Sequence, residues 1–183
     1  TFASGDRVTF DRVLIGEVWF AGGQSNMEMP LGGFWQCPVT DANEIIARAG
    51  AKSGNLHYVK IPHAAAYMPQ DRTAGSWTPC TTATAAKFTA AGYFFAEMLN
   101  DVLGVPVGII DCSWGGSRVE SWMSREVLSG YSDIDLTEEG ISRVAQHLRP
   151  MVMYNAMLRP VAGYTVRGFL WYQGESNVGR YMD

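Results

Sequence analysis

Along this chain, short continuous apolar runs alternate with stretches whose apolar residues recur every three or four positions. Val18, Trp19, Phe20 and Ala21 form an unbroken apolar run that ends abruptly in small and polar residues, which predicts a buried strand. Residues 56–61, stopped by Pro62, residues 106–111 and residues 166–172 predict three more strands of this kind. Helical periodicity is clearest over 87–103, where Phe88, Ala91, Phe95, Met98, Leu99 and Val102 share one face and Gly104 ends the pattern. A shorter helix is predicted over 41–49, capped by Thr40 or Asp41 and terminated by Gly50, and further helices over 119–128, 137–148 and 151–158. Strands alternating with helices, the strands apolar on both faces, imply an α/β fold with a mostly parallel sheet covered on both sides. Residues 1–15 differ. Phe2, Val8, Phe10, Val13 and Leu14 stand among polar residues, as in the tail of an upstream β module, so the main domain is expected over 16–183. No internal repeat or low-complexity tract interrupts it.

In such sheets ligands sit at the carboxyl ends of the strands. Three predicted strands end in unusual glycine-rich polar loops: residues 22–26 (Gly, Gly, Gln, Ser, Asn), 112–117 (Cys, Ser, Trp, Gly, Gly, Ser) and 173–177 (Gln, Gly, Glu, Ser, Asn). A serine after a strand is ordinarily a helix cap or turn residue. Ser25 is flanked by Gln24 and Asn26, so it does not fit the Gly-x-Ser-x-Gly elbow. Its convergence with the other two loops turns it into a candidate nucleophile. Acyl transfer at serine requires a nucleophile, a base for its proton and donors for the oxyanion. The backbone N–H groups of Ser25 and of Gly115 or Gly116, and the side-chain amides of Gln173 or Asn177, are the candidate donors. Glu175 is a candidate for a substrate hydroxyl or a brace for its loop, Arg118 and Glu120 for an ion pair bracing theirs, and Trp114 and Trp122 for sugar stacking or core packing.

Composition narrows the chemistry. The 183 residues are 47% hydrophobic and 17% charged, with net charge −4, and carry no basic run, which argues against nucleic acid as a partner. No apolar stretch approaches the ~20 residues of a membrane span. Cys37, Cys80 and Cys112 match no metal or redox spacing. Cys112 closes an apolar run and reads as core, whereas Cys37 and Cys80 lie in loop contexts where a disulfide could join them. The chain opens at Thr1, which suggests a processed or trimmed amino terminus.

Taken together, residues 16–30, 87–96, 105–122, 154–160 and 168–177 resemble the SGNH hydrolase superfamily, and within it the sialate O-acetylesterase-like carbohydrate esterases. The resemblance implies a three-layer α/β/α sandwich of SGNH or flavodoxin-like type, incomplete at its carboxyl end. It implies hydrolysis of acetyl esters on sugars, with no metal or organic cofactor, in a periplasmic, secreted or lysosome-like compartment. By position, Ser25 is the nucleophile, Gly115 the second-block glycine with Gly116 its rival, and Gln173 the third donor ahead of Asn177. Acetylated sialic acid is the expected substrate; acetylated xylan, or a non-catalytic carbohydrate-binding relative, are the alternatives. The family's catalytic histidine lies in an Asp-x-x-His block after the third loop. None of His57, His63 and His147 has an aspartate three residues earlier, and each reads as structural, His147 facing solvent from a helix. The chain is therefore expected to be the amino-terminal part of an esterase domain. The remaining carboxyl-terminal part of the same protein would complete it, and the chain alone would turn over negligibly.

Overall fold

A computed structural model describes residues 3–7, 9–11 and 13–179. Phe2 and Val8, two of the apolar positions read as an upstream β module, lie outside the described residues. A small hairpin, β1 (Ala3–Ser4) with β2 (Asp6–Arg7), precedes the main sheet. The main elements then follow as β3 (Glu17–Gly23), α1 (Ser25–Glu28), α2 (Ala42–Ala49), β4 (Leu56–Lys60), β5 (Thr78–Pro79) and α3 (Ala90–Leu103). After them come β6 (Val107–Ser113), α4 (Arg125–Leu128), α5 (Glu138–Ser142), a π-helix (Tyr154–Leu158) and β7 (Gly168–Tyr172).

The sheet runs β5-β4-β6-β3-β7, parallel except for the antiparallel pair β4–β5. The chain leaves β3 for β4 and β6 on one side and returns to β7 on the other. The carboxyl end of β3 is therefore a switch point, the position where open α/β sheets bind ligands. Alternate side chains of the strands feed two cores. On one face, Ala21, Tyr58, Val107 and Ile109 pack with Ile45 of α2 and with Tyr93 and Ala96 of α3. On the other, Phe20, Val59, Ile110 and Cys112 pack with Leu128 of α4, Ile141 of α5 and Met157 of the π-helix. These are the three layers expected of an α/β/α sandwich.

Several sequence expectations are corrected. The helix expected at Lys87 begins at Ala90, because the Thr89 side chain caps it by accepting from Gly92 N–H. Its buried face centres on Gly92, Tyr93, Ala96 and Asn100; of the expected stripe, Phe88 is buried and Ala91, Phe95 and Leu99 pack against the same core, whereas Met98 and Val102 are 71% and 74% exposed. Residues 119–128 are not one helix: a 3-10 turn (Val119–Trp122) gives way to α4, because the Ser124 side chain accepts from Val127 N–H and starts a new helix. Residues 137–148 also divide: Thr137 caps the short α5 at the expected start, and a separate 3-10 turn (Gln146–Leu148) follows without a side-chain cap. Asp41 occupies the N-cap position of α2, yet its side chain makes no capping bond. The strand expected over 166–172 forms as β7, but it is not buried. β7 bonds to β3 alone, and Phe169, Trp171 and Tyr172 stay exposed. All three cysteines are free; Cys80 is buried in the first core while Cys37 is exposed, so no disulfide joins them.

Candidate active site

The site begins with the backbone at the end of β3. Gly23 has φ +142°, and a Cβ built there would lie 2.0 Å from the Tyr172 carbonyl oxygen, so only glycine lets β3 and β7 approach this closely. Gln24 N–H donates to Tyr172 O (3.0 Å) and Trp114 N–H donates to Gly23 O (3.0 Å), so the first two residues of the turn fasten the ends of three strands. Gln24 holds the N-cap position and Ser25 is the first residue of α1. Ser25 is therefore not a cap. Among the described residues no hydrogen bond ties its hydroxyl or its N–H, and the side chain is half-buried at the rim.

The second loop is a turn closed by Ser117 N–H donating to Trp114 O (3.3 Å), with Gly116 at φ +74° in its third position. That geometry is a type II turn, which favours glycine there. A Cβ built on Gly115 would lie 3.5 Å from Ser25 Cβ, so the turn lies against Ser25. Gly115 N–H, however, donates to Glu28 Oε2 at 2.5 Å. His147 also differs from expectation. It is half-buried in a 3-10 turn, with its ring against Gly116: a Cβ built on Gly116 would lie 3.2 Å from His147 Cδ2.

The third loop is fastened to the other two. The Gln173 amide donates to Ser117 O (3.1 Å), Asn177 Oδ1 (3.2 Å) and Gln24 Oε1 (3.4 Å). Asn177 Oδ1 also accepts from Val119 N–H (3.0 Å), and Asn177 Nδ2 donates to Glu120 Oε2 (2.8 Å). Both side-chain amides expected to serve an oxyanion thus donate to loop acceptors. Asn26 Nδ2 donates to Glu175 Oε1, which ties α1 to this loop. Trp122 is buried, and its indole N–H donates to Ser117 Oγ (2.9 Å). Arg118 Nε is buried without a hydrogen-bond partner.

Beneath the rim lies a set of polar groups that the sequence reading did not single out. Buried Gln24 accepts from the N–H groups of Gly174 (3.3 Å) and Ser176 (3.2 Å) through Oε1. Lys60 Nζ pairs with buried Asp111 Oδ2 (3.0 Å), donates to Ser113 Oγ (3.1 Å) and lies 3.6 Å from Glu28 Oε1. Ser113 Oγ donates to Asp111 Oδ1 (2.5 Å). Burial raises the Asp111 carboxyl above its ordinary value, while Lys60 and Ser113 oppose the shift. Glu28 Oε1 also meets His63 Nε2 at 2.6 Å, and the His63 ring stacks on Trp114. One face of Trp114, a candidate sugar platform, is thereby covered. A visible signal existed for part of this set: a lysine and an aspartate each close an apolar strand run, where a charge needs a partner.

The described residues contain no group of three or more metal-ligating side chains, and no helix long and apolar enough to cross a membrane. Comparison with known proteins supplies the remaining context. The model of a family described as carbohydrate esterase, sialic acid-specific acetylesterase, matches residues 15–183. Sialate O-acetylesterases from Pongo abelii and Homo sapiens are each 30% identical over 178 residues, which cover 93% of this chain and 33% of theirs. The crystal structure of a carbohydrate acetylesterase from Xanthomonas citri superposes with TM-score 0.73 at 38% identity, covering 88% of this chain and 33% of that one. This chain thus spans about a third of the length of these relatives. Matched over nearly its whole length, it belongs to the sialic acid-specific acetylesterase family of carbohydrate esterases.

Proposed function

We propose that this chain carries the nucleophile and most of the oxyanion site of an enzyme that hydrolyses O-acetyl esters on sugars, O-acetylated sialic acid foremost. The observation that carries the reading is Ser25. It stands at the switch point of the sheet, with a free hydroxyl, beside a glycine turn whose backbone can approach a reacting carbonyl. Ser25 Oγ attacks the acetyl carbonyl carbon and its proton passes to a histidine base. The oxyanion is held by backbone N–H groups of Ser25 and the glycine turn. Collapse expels the sugar oxygen, which takes the proton from histidine. Water then attacks the acetyl-enzyme and releases acetate.

The base belongs, in this reading, to the remaining carboxyl-terminal part of the same protein, as the absence of an Asp-x-x-His pattern in the sequence suggests. The exposed apolar side chains of β7 support it, since strands of parallel sheets are normally covered on both faces. Residues 1–15 are then the tail of an upstream β module, a view supported by exposed Phe10, Val13 and Ile15, and 16–183 the amino-terminal part of the esterase domain. A periplasmic, secreted or lysosome-like location belongs to the same reading and rests on the family alone.

The test is acetate release by the full-length protein from p-nitrophenyl acetate, O-acetylated sialic acid and acetylated xylan. Activity abolished by Ser25→Ala, with preference for the sialic acid ester, is expected. Acetate release unchanged by Ser25→Ala overturns the assignment of the nucleophile. Faster release from xylan overturns the substrate, and carbohydrate binding without any release makes the protein a lectin-like relative.

A further inference from the structure

The family resemblance puts Gly115 ahead of its rival Gly116 as the second-loop donor, but the structure treats the two differently. A backbone N–H serves one strong acceptor at a time. Gly115 N–H is taken by the Glu28 carboxylate at 2.5 Å, a charge-assisted bond, whereas Gly116 N–H has no acceptor among the described residues. We infer that Glu28 is a positioning residue that orients the glycine turn through Gly115 N–H and leaves Gly116 N–H as the oxyanion donor of the second loop. This inference rests on the esterase reading above.

The geometry supports it on three sides. Glu28 follows Ser25 by three residues in α1, so both side chains project from neighbouring positions of one helical turn. A single carboxylate thus couples the nucleophile's helix to the donor's turn. The carboxylate is itself held from behind. Its Oε1 meets His63 Nε2 at 2.6 Å and lies 3.6 Å from Lys60 Nζ, and Lys60 is fixed by the Asp111 and Ser113 side chains of β6. The turn has a second tie through Trp114, the residue before Gly115, which stacks on the same His63. Finally, Glu28 is mostly shielded, its side chain only 18% exposed, so water competes weakly for its oxygens.

The experiment uses the full-length protein labelled with 15N-glycine, together with Glu28→Ala and Glu28→Gln. The inference expects Glu28→Ala to lower kcat by roughly 10–100-fold with KM little changed, as for a misplaced oxyanion donor. Glu28→Gln, whose amide oxygen can still accept from Gly115 N–H, should recover most of that loss; a packing defect alone would not be repaired in kcat this way. In the labelled wild type, Gly115 should give a downfield, slowly exchanging amide that moves upfield in Glu28→Ala. Phenylboronic acid, a mimic of the tetrahedral adduct, should shift the Gly116 amide and leave Gly115 in place. A boronate response centred on Gly115, or a Glu28→Ala variant with unaltered kcat and unaltered Gly115 exchange, overturns the inference while the esterase reading stands. No acetate release from any ester, with the Gly115 amide still dependent on Glu28, overturns the esterase reading and the donor role of Gly116 while the Glu28 grip on the turn survives.

Discussion

The imidazole of His63 lies parallel to the indole of Trp114, ring centroids 4.2 Å apart and planes within 2° of each other, with Nε2 turned to Glu28. This places a histidine at the rim of the site in a role that is structural in its contacts: it braces the residue before the glycine turn and the carboxylate that holds the turn. A ring stack of this kind contributes about 0.5–1.5 kcal/mol. His63→Ala is therefore expected to lower kcat/KM of the full-length protein by no more than about tenfold. Steady-state rates with p-nitrophenyl acetate check this. A loss of about 10⁴-fold or more would make His63 the general base and remove the need for a histidine elsewhere.

Asp111 makes stability depend on pH in a definite direction. Its folded-state value is raised, chiefly by burial, with Lys60 opposing. A raised acid contributes stability that is fully present below the unfolded-state value, about pH 4, and is lost as pH rises through the folded value. Asp111→Asn removes that titration. Urea unfolding of both proteins between pH 4 and 7 should show the stability of wild type relative to the variant falling as pH rises. A pH-independent difference would mean that Lys60 and Ser113 fully offset burial.

Gly23→Ala should destabilise by at least about 2 kcal/mol, since the new Cβ meets the Tyr172 carbonyl and the backbone there is unfavourable for side chains. The Gly23–Tyr172 contact joins β3 to β7, so the unfolding midpoint in urea should drop. Esterase activity in the full-length protein should fall with it, because the same clash displaces the strand end that presents Ser25. An unchanged midpoint would show that the turn adapts.

Thiol chemistry separates the three cysteines. Cys37 is exposed, whereas Cys80 is buried and its thiol is pushed up to about 12, and burial raises Cys112 as well. At pH 8 a disulfide reagent should modify one thiol promptly in the native chain and all three only after unfolding. Prompt modification of two or more would show that a core opens readily.

Much of the architecture was legible in the residues. The runs ending at Ala21, Ile61 and Asp111 form parallel strands of one sheet because apolar side chains on both faces demand cover on both faces. The helix ends were less legible. Thr89 and Ser124 each shift a helix start inward from the expected position, since a hydroxyl that caps competes with continued helix, and hydrophobic periodicity does not register it. β7 forms where its apolar run predicts a strand, but its neighbours decide whether it is covered, and here its side chains stay exposed.

The sequence by itself determined the candidate nucleophile, the three loops that meet around it and the family, because these depend on the order of residues at strand ends. Only the tertiary structure decided which groups are free to act. Gly115, Gln173 and Asn177 have their donors taken by Glu28, Ser117, Gln24 and Glu120, while Ser25 and Gly116 do not. A hydrogen bond is a pairing between residues distant in the chain, set by how strands and loops pack, so residue type alone could nominate these donors and could not show which remained available.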